Sequence, residues 1–367
     1  MAQTTLKPTI IIFFLFQIIL YVALARTVRP NETDFPAFYS AARIWSLGHH
    51  PYELEEQCRV QLPIRGEPCL PFAHPPLLLP LISLVSNQDF GSSYYRWTIL
   101  MLIAASICIL PAHYISGEWK NSIQSVLFFP LIIAIAMGQD TPVILLAILS
   151  WACLLSRKKD FLSGLALSLA VLKPQIAVLL AIPLFFSRPR AFAGFSIGAI
   201  LLTIYSLILV GLQGFRGLLG IVNVMSQGSG FGINSKAMIN ATALLVRAGQ
   251  SAKWSWAIFA VGVVAISLIW KKLGTSLNEL VIGITVALFC APHLHLHDLS
   301  LLTVSLVPAQ PLVTMCCSLF LLIGYFLGWQ QWAGYVLIAG ACISYVIRSK
   351  RNYDFERTEF RPSIPTR

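Results

Sequence analysis

Charge is what this sequence has least of. Only 11% of its 367 residues are charged, and Asp and Glu together number 15. With 57% of residues hydrophobic and a mean hydropathy of +0.74, the chain lies outside the range of soluble globular domains. A Cys-x-x-Cys pair is also missing, which removes the commonest cysteine-based metal site. No internal repeat is visible, and this argues against the inverted-repeat transporter folds. No small-residue cleavage motif follows the first apolar run, Thr9 to Ala25, so that run is expected to be a retained span and not a signal peptide.

What is present is a series of eleven or twelve apolar runs. About 20 apolar residues in a helix cross the hydrocarbon core. The fold class expected is therefore all-α, a polytopic transmembrane helix bundle forming one integral membrane domain over residues 1–367. The net charge of +11 does not indicate nucleic acid, because the basic residues sit in short loops: Arg157 to Lys159, Arg188 and Arg190, Lys271 and Lys272. Such loops are cytoplasmic by the positive-inside rule. The basic tail 348–367 is expected to lie on the anionic lipid of the same face.

Counting outward from those loops predicts twelve spans with both ends of the chain inside. Pro75–Val85 breaks the parity. At about 16 Å it is too short to span, so it is expected to be a juxtamembrane or re-entrant helix of the first outer loop. That loop covers about residues 26–93 and a second outer loop about 211–252. The polar features then collect on the extracytoplasmic side.

The polar insert Arg26 to Ala73 holds six of the acidic residues: Glu32, Asp34, Glu53, Glu55, Glu56 and Glu67. From Asp34 to Leu47 the apolar positions Phe35, Phe38, Tyr39, Ala42 and Trp45 share a helical face, which predicts an interfacial amphipathic helix. Asp34 with Pro36 behind it is an ordinary helix opening and equally a rigidly aimed carboxylate. Cys58 and Cys69 lie in the same insert and are expected to pair if it faces an oxidising compartment. Lys173 interrupts an apolar stretch. A charge there costs roughly 2.5–3.5 kcal/mol at the bilayer centre, so it either snorkels or has an anionic partner such as a phosphate. His293, His295 and His297 alternate and precede Asp298. A plain polar turn, a phosphate or hydroxyl site, and zinc on an extended segment all stay open for that cluster. Gly138-Gln139-Asp140, and Asn234, Ser235 and Asn240, offer amides and hydroxyls suited to a sugar or to turns.

Taken in order, DFPAFYSAAR from Asp34, the Gly48 and Pro51-Tyr52 turn, PFAHPP from Pro71, Gly138-Gln139, Leu172-Lys173-Pro174 and the Ala291-Pro292 turn ending at His297-Asp298 resemble glycosyltransferase family 87. These are GT-C class polytopic enzymes related to polyprenol-phosphate-mannose-dependent α-mannosyltransferases. The resemblance implies transfer of a sugar, mannose first, from a polyprenyl-phosphate donor to a lipid or glycan acceptor outside the cytoplasmic leaflet of a bacterial cell (inner) membrane. It implies Asp34 as general base, with Lys173, His297 and Arg43 on the donor phosphate. Tyr39, His74, Gln139, Asn240, His295 and Asp298 would line the substrate. No cofactor is required by the pattern, though a divalent metal stays open. The alternative is a lipid or solute transporter or flippase, which has use for Lys173 but none for Asp34.

Overall fold

The computed structural model describes residues 26–86, 89–226, 238–309 and 311–359, with Leu15, Gln17 to Ile19, Tyr21, Val22 and Leu24 of the first run. Every regular element among them is helical, as expected of a chain whose backbone must satisfy itself away from water. The rest of the first predicted span lies outside the described residues.

Helices α1 (Phe35–Ser46), α2 (Leu54–Arg65) and α3 (Leu79–Val85) belong to the insert and the segment behind it. Helices α4 (Phe90–Ile107) and α5 (Ile109–Ser116) run on as one apolar rod of 27 residues. Helices α6 (Trp119–Val126) and α7 (Phe129–Ala136) meet at a 45° bend. Then come α8 (Thr141–Ser156), α9 (Asp160–Ser168), α10 (Pro174–Ser187) and α11 (Pro189–Ser226). Helices α12 (Ala241–Arg247), α13 (Ser255–Leu273) and α14 (Leu277–Cys290) lead to a 3-10 segment, Leu296–Leu302. Helices α15 (Thr303–Leu306), α16 (Pro311–Phe326) and α17 (Gln330–Glu359) close the described chain. Prolines begin many of these helices. Pro36, Pro130, Pro142 and Pro174 stand in first turns, where no backbone donor is lost.

Three helical stretches are long and apolar enough to cross a membrane, or four if the bent α6–α7 pair is one span. They are Phe90–Ser116, Pro189–Val224 and Ala252–Leu273. The twelve-span expectation is not reproduced by helix length. Runs expected to span, Pro142–Leu155 and Ile176–Phe186, lie in helices of 16 and 14 residues, Thr141–Ser156 and Pro174–Ser187. Pro76–Val85 is among the short ones, as its length required.

One further expectation needs correction. Helix α1 is not a surface helix with one wet face: Phe35 through Ala42 are all buried, so packing and not the interface holds it. Gly211, where the second outer loop is expected to start, stands inside a helical stretch. That glycine takes a left-handed φ of 65° and kinks α11, whose helix continues to Ser226; residues 227–237 lie outside the described ones. Helix α17 continues to Glu359, into the basic tail 348–367.

Helices α9 and α11 touch backbone to backbone. A Cβ on Gly164 would stand 1.8 Å from the Ala191 carbonyl oxygen, and one on Gly194 2.1 Å from that of Phe161. Only glycine permits that crossing. The core behind the site is aromatic, with Trp97, Trp151, Trp270, Phe35, Phe38, Phe72, Phe128 and Phe129 fully buried.

Candidate active site

Asp34 reaches the site through a backbone clamp. Its N–H donates to the Met137 carbonyl at 3.1 Å. Gly138 follows at φ 71°, and a Cβ there would lie 2.7 Å from Phe35 Cβ, so only glycine lets the two chains meet. Trp97 Nε1 donates to the Gly138 carbonyl at 2.9 Å and the Tyr94 hydroxyl to that of Ala136 at 2.7 Å, fixing the end of α7. Asp34 occupies the N-cap position of α1, yet its carboxylate caps nothing. Thr33 Oγ1 accepts from Phe35 N–H at 3.3 Å instead. The Asp34 carboxylate is thereby released, and its Oδ2 accepts a 2.6 Å hydrogen bond from Gln139 Nε2. The simple helix-opening role is thus not what the side chain does.

Lys173 ends a 3-10 turn, Leu169–Leu172, and precedes Pro174 of α10. It is 8% exposed and does not snorkel; its Nζ donates to Asp298 Oδ1. The other oxygen, Asp298 Oδ2, accepts His295 N–H at 2.9 Å, and His297 Nε2 lies 3.5 Å from Oδ1. Asp298 therefore organises the turn with both oxygens rather than standing open to a substrate. The three imidazoles are adjacent: ring centroids of His293 and His295 are 4.5 Å apart, those of His295 and His297 5.9 Å. Burial pushes His295 below its ordinary value, with the Asp298 and then the Asp34 carboxylates pulling the other way. Asp34 thus lies within electrostatic reach of the turn. Burial pushes His293 down to about 3, helped by the neighbouring His295. Among the described residues no group of three His, Cys, Asp or Glu is arranged to hold a metal ion.

His74 stands directly behind the insert. Its Nδ1 lies 3.2 Å from Asp140 Oδ2, at the head of α8, and its ring packs on Phe38 with centroids 4.6 Å apart. The segment carrying it is held by two amides that sequence reasoning missed. Gln57 donates to the Pro51 carbonyl and accepts Phe72 N–H; Gln61 donates to the Leu70 carbonyl and accepts Leu70 N–H. Both are fully buried, and the signal available was two uncharged amides four residues apart on one helical face. Cys58 and Cys69 form a disulfide across the same segment, with Cα atoms 5.3 Å apart.

The structure brings Asp34, His74, Gln139, Lys173, His295, His297 and Asp298 into one neighbourhood. Others are placed elsewhere. Arg43 donates to the Ser86 carbonyl at 3.5 Å, and Tyr39 packs edge-on to Phe90, on the α3–α4 side of α1. Asn240 is spent locally: it caps α12 through Ala243 N–H at 2.9 Å and donates to the Ala291 carbonyl at 2.7 Å, tying that loop to the histidine turn. Asn234 and Ser235 lie outside the described residues.

Chemically the arrangement sets a carboxylate with no helix to cap at one end and an ammonium with imidazoles at the other. The sequence model of glycosyltransferase family 87 matches residues 72–292, more than half of the chain. That span contains His74, Gln139 and Lys173; Asp34 and His293 to Asp298 flank it and join it through the contacts above. No curated protein and no solved structure matches the chain. With a match of that length, the chain belongs to glycosyltransferase family 87.

Proposed function

We propose that this membrane glycosyltransferase moves a hexose, mannose first, from a polyprenyl-phosphate donor to a lipid or glycan hydroxyl on the extracytoplasmic face of a bacterial cell membrane. The observation that carries the reading is the Asp34 carboxylate, excused from capping and held by Gln139 beside the histidine turn. The acceptor oxygen attacks the anomeric carbon while Asp34 takes its proton, a step generally worth about 10²–10⁴-fold. The bond from that carbon to the phosphate oxygen breaks, and the lipid phosphate leaves with a second negative charge. Lys173 spends one N–H on Asp298 and keeps two for phosphate oxygens, with His297 as a further donor. Because Lys173 and Asp298 nearly cancel, stabilisation comes from aimed N–H groups more than from net charge.

Purified protein with radiolabelled polyprenyl-phosphate mannose and a panel of membrane glycolipid acceptors tests this. Label passed to an acceptor is expected. Donor that is bound or moved between leaflets without transfer would support a transporter instead. Reporter fusions at Gly66 and after Lys271 check the orientation, with Gly66 extracytoplasmic and Lys271 cytoplasmic. The same side for both would contradict it.

A further inference from the structure

The Asp140 carboxylate is the least expected group near the site. It is fully buried, and neither oxygen accepts a hydrogen bond among the described residues. It stands at the head of α8 without capping that helix. An ionised carboxylate with no donor is expensive to bury, and its retention beside Gln139 calls for a role. Its neighbour is His74 Nδ1, 3.2 Å away but out of line for a hydrogen bond. Hydrogen bonds of catalytic groups commonly come into line only in the complex with substrate.

His74 is otherwise well held. Phe38 and Phe72 flank its ring, at 4.6 and 5.7 Å between centroids, and the Tyr52 hydroxyl donates to its carbonyl at 2.8 Å. Nδ1 is sealed from solvent while the side chain is 20% exposed, which leaves Nε2 as the nitrogen able to reach a ligand. Asp140 from α8 and His293 from the turn both interact with His74. Lys173 and His297 gather at the other end, around Asp298.

We propose that Asp140 and His74 act as a pair that recognises a hydroxyl of the transferred sugar, His74 Nε2 making the contact and Asp140 setting the ring. The proposal rests on the donor reading above. A hydroxyl suits this pair better than a phosphate does, because a carboxylate behind the imidazole repels an anion and fixes a proton on Nδ1. Asp140 is then a positioning residue, and His74 the group that touches the sugar.

The test compares two probes, polyprenyl-phosphate mannose and bare polyprenyl phosphate, binding to the full chain in nanodiscs. Asp140→Asn and His74→Ala should each weaken binding of the sugar-bearing lipid by roughly tenfold or more, the loss expected of one buried hydrogen bond to a charge-assisted group. Binding of the bare lipid should stay within about twofold, which also reports an intact fold, and the double variant should be no worse than either single one. Equal losses for both lipids, or no loss for either, would overturn the pair's role. Failure of the wild type to bind either lipid would overturn the donor reading itself, and the pair's role with it.

Discussion

Asp298→Asn removes the counter-ion of a buried lysine while changing almost nothing else. Asp298 is 2% exposed and Lys173 8%, and the ammonium donates directly to Oδ1. The amide keeps an acceptor oxygen for His295 N–H, now bonded to Oδ2 at 2.9 Å, so the turn's backbone retains its anchor. The loss therefore reports the stranded charge. Breaking one side of a buried pair costs about 3–5 kcal/mol, against about 0–1 kcal/mol for an exposed pair such as Arg29–Glu32, whose side chains are 75% and 63% exposed. Lys173→Met with Asp298→Asn removes both charges while keeping the acceptor for His295 N–H, and removing a buried pair together is often neutral or stabilising. The double variant should hence recover most of the stability lost by the single one while transferring no sugar. Unfolding of the detergent-solubilised protein by denaturant, followed by circular dichroism, gives the cycle. If Asp298→Asn costs under about 1 kcal/mol, or the double variant is as unstable as the single, the pair is not the buried structural element described here.

Other outcomes follow from the same geometry. Mass spectrometry of unreduced, alkylated protein should find Cys58 linked to Cys69, and Cys69→Ser should lower stability by roughly 2–4 kcal/mol; two alkylated thiols would contradict this. His293 is held neutral by burial, down to about 3 from an ordinary 6.5, so between those values the unfolded chain binds a proton that the folded chain does not. Stability should then fall as pH drops from 6.5 toward 3, and His293→Asn should make that acid limb shallower. An unchanged limb would mean the imidazole is solvated.

The helical, membrane-embedded class was legible in the apolar runs, while the contacts of the candidate site residues were legible only in part, for physical reasons. Lys173 stood out because a lone charge in an apolar stretch needs a partner. The partner, Asp298, is 125 residues away, and no local pattern could name it. Asp34 was visible as a carboxylate at a helix start. Its release from capping was not, since that depends on Thr33 taking Phe35 N–H and on Gln139 arriving from α7. For Asn240 the sequence leaves a sugar and a turn both open, because its two partners, Ala243 and Ala291, are defined only by the fold. Helix α1 was read as half-wet from its periodicity, whereas α2, α3 and α4 cover it on several sides. The two span counts differ because hydropathy counts every apolar run, while helix length among the described residues gives three spans or four.

The most direct measurement of the central claim is sugar transfer by Asp34→Asn under single-turnover conditions with saturating polyprenyl-phosphate mannose. Asp34 makes no capping bond and Gln139 can still pair with an amide oxygen, so the fold and donor binding should be preserved. An amide cannot take the acceptor's proton. Transfer should fall by about 10²–10⁴-fold at unchanged donor affinity. A folded variant that binds donor and transfers sugar at near the wild-type rate would contradict Asp34 as the general base.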